Sequence, residues 1–511
     1  MSRPLLDDGR RSAGSAGAPA GVGPRRPRTG PRRVARTLLP AVLATLGLLG
    51  TMAAPRAGDD GPPPDKPGGD TTVFATGRNA FSFPAANLSE PERTRFVVGN
   101  SFFRRNWVEA PSSTRARDGL GPHFIARSCG GCHVQDGRGA PPEIRNGLVH
   151  EAPVALLMRL SVPGAGPHGG PRPEPTYGDQ LDNAAIQGVR PEGEVTMREE
   201  PVPGRFADGT PYTLRRPVYG LRKLGYGPLA RGTMTSPRIA PQLIGVGLIE
   251  AIPEAEILRN AEEQAAAGGP IRGMPNRVWD ATVQREVLGR FGWKANVGSI
   301  AHQTAGAFLG DMGITSRLFP DEACTAAQKD CRAAPRGAQG KGPEIDDETF
   351  AQVVFYQATL APPARRDPAD AQVRRGQALF ERAQCAVCHR PSYVTGADGD
   401  AGRFPPIASP ALAGQTIWPY TDLLLHDLGE GLADHRPDFR ASGRQWRTPP
   451  LWGIGLIPDV NGHQRLLHDG RARGVLEAVL WHGGEAEASR RQVLNFSAEE
   501  RAALVRFVES L

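Results

Sequence analysis

The chain has few aromatic residues, few cysteines and almost no long apolar run, and each shortage excludes some classes of protein. Aromatic residues make up 6% of the 511 residues, whereas 63 Gly and 49 Pro favour a protein rich in turns and irregular segments. Apart from residues 37–54, no stretch is long and apolar enough to cross a membrane. The length fits two or three domains.

The chain also lacks a basic surplus once its N-terminal segment is set aside. The formal net charge is +7, but residues 1–57 hold ten Arg, no Lys and two acidic residues. The remainder has 51 basic and 52 acidic residues, so its net charge is close to zero. Nothing in this balance indicates nucleic-acid binding.

Residues 1–54 have the pattern of a secretory signal. Arg-rich sequence runs to Arg36 and is followed by residues 37–54, which carry no charge and end in small residues. An uncleaved anchor helix is the alternative, although Pro40 and a length of 18 residues make it marginal. We therefore expect export to the periplasm. Residues 55–78, rich in Pro, Gly and Asp, are expected to form a disordered spacer.

Four of the six cysteines belong to two Cys-x-x-Cys-His pentads. These pentads lie at Cys129, Cys132 and His133, and again at Cys385, Cys388 and His389. Disulfides or a four-thiolate zinc site are the alternatives, but neither explains the histidine that follows each second cysteine. Covalent haem attachment requires that order, because two thiols add to the porphyrin vinyl groups and the adjacent imidazole binds the iron. The sequence therefore predicts two covalently bound haem c groups, with His133 and His389 as iron ligands.

The two remaining cysteines, Cys324 and Cys331, have no adjacent histidine. They are separated by six residues in the stretch ACTAAQKDC. A local disulfide across this loop is expected.

Helical patterns surround each pentad. Before the second pentad, Gly376 interrupts an apolar helical face where a missing side chain permits a close helix crossing. The C-terminal stretch FSAEERAALVRFVESL has a capping box, formed by Ser497 and Glu500, and an apolar stripe. In the first half, Gly99 matches Gly376, and residues 345–360 form the closing helix.

These patterns predict a mainly α fold with two cytochrome c-like helical units in tandem. The first haem domain is expected over residues 79–362 and the second over residues 363–511. The first has a long insertion, about residues 141–292, whose alternating runs such as VALLMRLSV and YTLRRPVYGLRKL predict some β-structure.

Longer stretches of the chain resemble the bacterial di-haem oxidoreductases, a family also described as peroxidases or thiol oxidoreductases and related to di-haem cytochrome c peroxidases. The matching stretches include RDGLGPHFIARSCGGCHVQDGRG, YTDLLLHDLGEG, WRTPPLWGIG and LLHDGRARGVLEAVLWHGGEA, within residues 95–485. The resemblance implies a peroxidase-like enzyme that passes electrons from the C-terminal haem to a substrate-reactive N-terminal haem. A non-catalytic electron-transfer cytochrome, and an enzyme that oxidises an organic or protein substrate, are the alternatives.

The resemblance also implies further iron ligands. Similar peroxidases place the distal ligand of the C-terminal haem fourteen residues after a His-Asp-Gly-like stretch, and this spacing leads from His468 to His482. A second histidine would make that haem an electron-transfer centre. For the first haem, His302 and Met312 are alternative sixth ligands.

Candidate catalytic residues follow from the same resemblance. Similar enzymes have a Trp between the haems and, ten residues later, a Gln in the distal pocket; Trp293 and Gln303 keep this spacing. Where relatives have an acid–base Glu, this chain has Gly313, and Asp311 is the expected substitute.

The resemblance implies two partners: a small-molecule oxidant, for which we expect hydrogen peroxide, and a periplasmic electron donor such as a small cytochrome or a cupredoxin. An N-terminal membrane anchor is the alternative to a cleaved signal. Similar enzymes carry a calcium ion between the two units, and the sequence does not decide whether this protein binds one.

Overall fold

The computed structural model describes residues 65–511, except residues 115, 146–147, 150–154, 338–341 and 399–402. The predicted signal or anchor segment lies outside the described residues, as does the predicted spacer before residue 65. Residues 65–78 correct the expectation of disorder, because Thr71 is fully buried and Val73 pairs with Pro363. In the described ranges, no helix combines the length and the apolar character that crossing a bilayer requires.

Helices form most of the framework around both pentads. In the described residues they are α1 (Glu90–Arg104), α2 (Cys129–Cys132), α3 (Val246–Ala251), α4 (Glu254–Ala266), α5 (Ile300–Met312), α6 (Lys329–Arg332), α7 (Asp347–Ala358), α8 (Ala371–Arg382), α9 (Ile457–Asn461), α10 (Val475–Trp481), α11 (Glu487–Leu494) and α12 (Ala498–Ser510).

Two helix crossings follow the predicted glycines. Helix α1 packs on α7, and a Cβ at Gly99 would lie 2.2 Å from the carbonyl oxygen of Gln352. Helix α8 packs on α12 in the same way, since a Cβ at Gly376 would lie 1.9 Å from the carbonyl oxygen of Ala503. Both crossings bring backbones too close for any side chain, so the predicted role of the two glycines is confirmed.

Capping groups define where these helices begin. The predicted capping box of α12 is present, with Glu500 N–H donating to Ser497 Oγ and Ser497 N–H donating to the Glu500 carboxylate. Helix α1 begins with the equivalent box at Ser89 and Glu92. Each box satisfies backbone N–H groups that the first turn leaves without a partner.

Strands are numerous and mostly short. They are β1 (Val108–Glu109), β2 (Asp118–Leu120), β3 (His123–Phe124), β4 (Ile144–Arg145), β5 (Leu148–Val149), β6 (Leu156–Ala165), β7 (Pro171–Arg172), β8 (Gln180–Leu181), β9 (Ala184–Ala185), β10 (Glu194–Arg205), β11 (Pro211–Arg222), β12 (Met234–Ile239), β13 (Arg277–Asp280), β14 (Arg285–Leu288), β15 (Tyr393–Val394), β16 (Thr416–Ile417), β17 (Leu425–Asp427) and β18 (Gln445–Arg447).

The longest strands lie in the predicted insertion. Strand β6 pairs with β12, β7 and β8 in a four-stranded sheet, and β10 pairs with β11 along twelve residues each. The tip of the β10–β11 hairpin reaches the C-terminal helices, where Ala207 N–H donates to Leu494 O and Arg501 pairs with Asp208 at 2.8 Å.

The expectation of a mainly α fold is wrong. The structure is 32% helical and 20% strand, with many small sheets, and it is not a clean all-α cytochrome fold. Period-two segments in the insertion pair with one another at long range, and short strands also occur beside both pentads. Residues of both predicted haem domains belong to one compact unit, Ala57–Leu511. The boundary near residue 363 stays a prediction.

Candidate functional site

A large buried cavity is lined by residues of both pentads. It offers about 310 Å³ in which the centre of a water molecule can move, so its full volume is larger. Cys129, Cys132 and His133 line it, and so does His389 of the second pentad. We call this the main cavity. Its size and mostly apolar lining are typical of a cofactor site.

A second cavity of about 120 Å³ adjoins it. Its lining includes Cys385, Cys388 and His389, together with His482 at the end of α10. His389 and His482 line both cavities, so the two spaces meet at this pair of imidazoles.

A tight turn presents each pentad to its cavity. The N–H of His133 donates to Cys129 O at 2.9 Å, and the N–H of His389 donates to Cys385 O at the same distance. This i to i−4 bond closes one helical turn, which places the first cysteine and the histidine on the same side.

The three predicted iron ligands share one hydrogen-bonding arrangement. In each, Nδ1 contacts a backbone carbonyl oxygen: His133 with Pro241 at 2.8 Å, His389 with Tyr420 at 3.0 Å, and His482 with Ala478 at 2.6 Å. A carbonyl oxygen only accepts, so Nδ1 carries the proton and Nε2 keeps its lone pair. Burial lowers the pKa of all three, that of His389 to about 4, which keeps the rings neutral. Metal-ligating histidines are oriented in this way.

Within the described residues, none of the four pentad cysteines forms a disulfide. Burial raises the pKa of Cys129 and Cys385 to about 12, so both sulfurs are uncharged. In the described part of the chain, one group of three potential metal-ligating side chains lies close together, and it contains only Cys388 of the four sulfurs. A zinc site built from both pentads is therefore not formed. The predicted disulfide joins Cys324 and Cys331.

Three buried arginines line the main cavity with backbone carbonyls as their neighbours. Arg138 donates to Arg465 O at 2.6 Å, Arg290 to Ile252 O at 2.7 Å, and Arg447 to Gly292 O at 2.9 Å. Burial lowers the pKa of each to about 10. Among the described residues, no carboxylate lies within ion-pair distance of Arg290 or Arg447. A buried cation needs a counter-charge, so this lining favours an anionic ligand.

These features fit two haem groups. Haem is an apolar plate with two carboxylates, and the cavity combines apolar walls with guanidinium groups that can bind carboxylates. His133 and His389 stand beside the cysteine pairs with Nε2 unprotonated, as iron ligation needs. The arginines were not singled out from the sequence, where they are scattered over more than 300 positions. Arg471 and Arg473, which belong to the matched stretch LLHDGRARGVLEAVLWHGGEA, pair with Asp469 and Glu477.

Helix α5 forms the wall that carries the predicted distal residues of the first site. Gln303, Asp311 and Met312 all line the main cavity. Burial raises the pKa of Asp311, whose Oδ1 accepts a hydrogen bond from Gln180 Nε2 at 3.1 Å. His302 does not line this cavity, because its Nδ1 accepts from the Ala281 N–H.

Gly313, where the resemblance would place an acid–base Glu, has no room for a side chain. Gly313 ends α5 in the left-handed region, with φ of 62°. A Cβ at this position would lie 2.7 Å from the Cα of Gly121. No glutamate can stand there without moving the backbone, and Asp311 is the carboxylate that this helix presents to the cavity.

Three tryptophans line the main cavity: Trp293, which the sequence singled out, and Trp446 and Trp452, which it did not. The Nε1 of Trp293 donates to Ile239 O at 2.8 Å, and its place between two haems stays a prediction. Trp446 stacks on His468 with ring centroids 3.8 Å apart. The signal for Trp446 was present in the sequence, because it opens the matched stretch WRTPPLWGIG.

His426 supports the second pentad through two carboxylates. Its Nε2 lies 2.8 Å from Asp422 and its Nδ1 lies 2.7 Å from Glu485, while Cys388 Sγ is 3.7 Å from Nδ1. Against the desolvation caused by burial, the charge of Asp422 raises the pKa of His426 well above its usual value. Since both nitrogens are occupied, this ring orients the pentad rather than binding a haem carboxylate.

Two Cys-x-x-Cys-His pentads around joined cavities, with neutral imidazoles and buried guanidinium groups, fit a di-haem protein. The comparison with known families agrees. The chain belongs to the family described as "Di-haem oxidoreductase, putative peroxidase", whose model matches residues 64–511.

Other comparisons add little. A structure of Kuenenia stuttgartiensis hydrazine synthase, pressurised with 20 bar xenon, is 17% identical and matches 37% of this chain, with a TM-score of 0.21. The match covers 63% of that chain, less than two thirds of its length. A TM-score this low supports no argument about fold or chemistry. No protein of curated function matches the chain.

Proposed function

We propose that the protein is an exported di-haem c oxidoreductase that reduces hydrogen peroxide. Its haems are attached covalently through Cys129 and Cys132 and through Cys385 and Cys388. Peroxide reacts at the N-terminal site, with electrons that a periplasmic donor, such as a small cytochrome or a cupredoxin, delivers to the C-terminal site.

One observation carries this proposal: the two histidine sites differ on their open sides. His389 shares its cavity with His482, and both rings have an unprotonated Nε2. Gln303 and Asp311 line the main cavity with His133 but do not line the second cavity, although His389 and His482 reach both. An iron with two imidazoles is suited to electron transfer, whereas an iron with an open face is suited to a small oxidant.

The side chains at the first site match the needs of peroxide reduction. When bound, haem supplies an iron centre that exchanges electrons with an oxidant on its open face. The Gln303 amide can donate a hydrogen bond to an oxygen atom in the cavity. The raised pKa of Asp311 favours its protonated form, which can give a proton to the departing oxygen as the O–O bond breaks. Reduction of one peroxide to two waters consumes two electrons and two protons.

Met312 is the group that could close the first site. It is 2% exposed and lines the same cavity, one residue after Asp311. If its sulfur occupied the open face at rest, both irons would be six-coordinate and the protein would be an electron carrier. The test below separates these two functions.

The test is the absorption and electron paramagnetic resonance spectrum of the haem-loaded protein, before and after hydrogen peroxide. We expect one high-spin centre that peroxide converts and one low-spin centre. His482→Gly should turn the low-spin centre high-spin, whereas Asp311→Asn should keep both spectra and slow the peroxide reaction by roughly a hundredfold or more. Gln372→Leu, an exposed position on α8, is the control and should change neither.

Two unreactive low-spin centres would refute the peroxidase proposal in favour of an electron carrier. A colourless protein, or haem released by acid and organic solvent, would refute covalent attachment. Oxidation of an organic or protein substrate is the remaining function, and it would show as peroxide consumption only when that substrate is added.

A further inference from the structure

A small polar pocket lies behind the wall that carries Asp311. It offers about 40 Å³ to the centre of a water molecule, and its lining includes His123, Asp179, Gln180, Asp182 and Glu192. A cavity of about 10–15 Å³ measured in this way holds one water. The rear pocket, as we call it, has room for water and the polar groups to bind it.

A hydrogen bond from Gln180 links the rear pocket to a residue that lines the main cavity. Gln180 lines the rear pocket, and its Nε2 lies within hydrogen-bond distance of three acceptors: Gly310 O at 2.8 Å, Asp311 Oδ1 at 3.1 Å and Asp182 Oδ1 at 3.2 Å. Asp311 lines the main cavity. One amide therefore holds a carboxyl group of each cavity, although Gln180 is only 4% exposed. Its Oε1 is buried without a hydrogen-bond partner in the described part of the chain, so it can accept from water in the pocket.

Ionisable groups continue from this junction. Glu192 Oε2 accepts from the Asp182 N–H at 2.7 Å, and Glu192 Oε1 lies 3.4 Å from His123 Nδ1. All three residues are less than 9% exposed. The other end of the pocket reaches solvent, because the Asp179 carboxylate that lines it is 59% exposed.

We propose that the rear pocket supplies the protons consumed in the main cavity, with Glu192 and Asp182 as a shared proton store and Gln180 as the junction to Asp311. The inference rests on the proposed peroxide reduction, which needs two protons for each peroxide. After Asp311 has given its proton, an O–H bond of the store breaks and, through water in the pocket, an O–H bond re-forms on Asp311. Bulk water at Asp179 restores the store.

The charges around the store agree with this role. Burial, together with the neighbouring Asp182, raises the pKa of Glu192 to about 9, and burial raises that of Asp182 well above its usual value. The pair therefore keeps a proton at neutral pH. The charged and titratable groups that face the pair or line the rear pocket with it are His123, Arg159, Tyr177, Asp179, Tyr226, Asp311 and Glu322. Burial raises the pKa of Glu322 to about 8, so Glu322→Gln is a second control for the pH profile and the infrared band. Burial lowers the pKa of His123, so its ring is neutral and able to exchange a proton.

The disulfide loop holds the store in place. Gln328, between Cys324 and Cys331, is fully buried and donates from Nε2 to Glu192 Oε1. Asp330 in the same loop pairs with Arg190, whose carbonyl oxygen contacts His123 Nε2 at 2.9 Å. The loop thus closes the far side of the rear pocket.

The first measurement is the pH profile of the peroxide-driven oxidation of the reduced, haem-loaded protein. We expect the wild-type rate to fall as pH rises through about 9, where the store loses its proton. Glu192→Gln and Asp182→Asn should each lower the rate at neutral pH by about tenfold, which is less than the roughly hundredfold loss expected for a direct proton donor. In both variants the fall in rate near pH 9, which we call the alkaline limb, should disappear. Glu192→Asp should retain the limb, and Glu286→Gln, an exposed control, should match wild type.

The second measurement does not depend on turnover. The infrared spectrum of the oxidised, peroxide-free protein should show a carboxylic-acid C=O band that disappears as pH rises through about 9, and that is absent from Glu192→Gln. The inference is overturned if wild type reduces peroxide, Asp311→Asn does not, and both store variants keep the wild-type profile. If wild type does not reduce peroxide, the proposed function fails and the supply role fails with it, whatever the infrared band shows.

Discussion

Replacing Gly376 with alanine tests the helix crossing that supports the second pentad. A Cβ at this position of α8 would lie 1.9 Å from Ala503 O and 2.6 Å from the Cβ of Phe507. A relaxed C···O contact is about 3.3 Å, so α8 and α12 would have to separate by about 1.4 Å. The obstacle is a backbone carbonyl inside a helix, which cannot rotate aside as a side chain can.

The expected cost follows from packing and helix propensity together. Overpacking of a close-packed interior costs about 1–3 kcal/mol, and the rigid neighbour places this site at the upper end. The separation would also loosen the contact between Phe380 and Phe507, whose ring centroids are 5.3 Å apart. Alanine in place of glycine stabilises a helix by about 1 kcal/mol. We therefore expect Gly376→Ala to lower the free energy of unfolding by about 2 kcal/mol.

The assay is urea denaturation of the haem-loaded protein, followed by circular dichroism, with Gly306→Ala as the matched control. Gly306 is also a helical glycine, in α5, but a Cβ there would meet nothing within 4 Å. The control should therefore be neutral or more stable than wild type by up to about 1 kcal/mol. If Gly376→Ala were as stable as Gly306→Ala, the close crossing would not matter and this reasoning would be wrong.

Three further predictions concern stability. Burial raises the pKa of Glu250 from 4.5 to about 7, so between these pH values the folded protein holds a proton that the unfolded chain has released. The free energy of unfolding should therefore fall by roughly 3 kcal/mol as the pH rises from below 4.5 to above about 7. Glu250→Gln should remove this slope in denaturation at several pH values; an unchanged slope would contradict the assignment. Replacing both Cys324 and Cys331 with Ser removes a cross-link that restricts the unfolded chain, so the free energy of unfolding should fall by about 2 kcal/mol. An unchanged free energy of unfolding in the same assay would mean that other contacts hold the loop. A Cβ at Gly99 would lie 2.2 Å from Gln352 O, so Gly99→Ala should be less stable than Gly306→Ala. Equal urea midpoints for these two variants would argue against the close crossing of α1 and α7.

Local patterns were the part of this protein that could be predicted from its sequence. The pentads at Cys129 and Cys385 indicated haem because their chemistry depends on residues that are neighbours in the chain. The start of α12 at the Ser497 capping box and the close helix contact at Gly376 were also predicted, because a helix start and a helix face are set by residues within a few turns. The iron-ligating role of His482 still rests on spacing and resemblance, and the cavity that His482 shares with His389 is compatible with it.

Long-range arrangements were not predicted. The mainly α fold was wrong because strands are made by pairing partners that the sequence does not name, and the insertion contributes several of them. The expectation of a disordered segment failed over residues 65–78 for a related reason, since Val73 gains a partner at Pro363, far along the chain.

The sequence by itself determined which chemical groups the protein has and which short elements carry them. Only the tertiary structure decided which of these groups meet in one cavity. Nothing in the sequence distinguishes three of the arginines from ordinary surface residues, yet folding buries them beside the main cavity: Arg138, Arg290 and Arg447. Asp311 acquires its raised pKa in the same way, because desolvation and neighbouring charge depend on distance in space and not on distance along the chain.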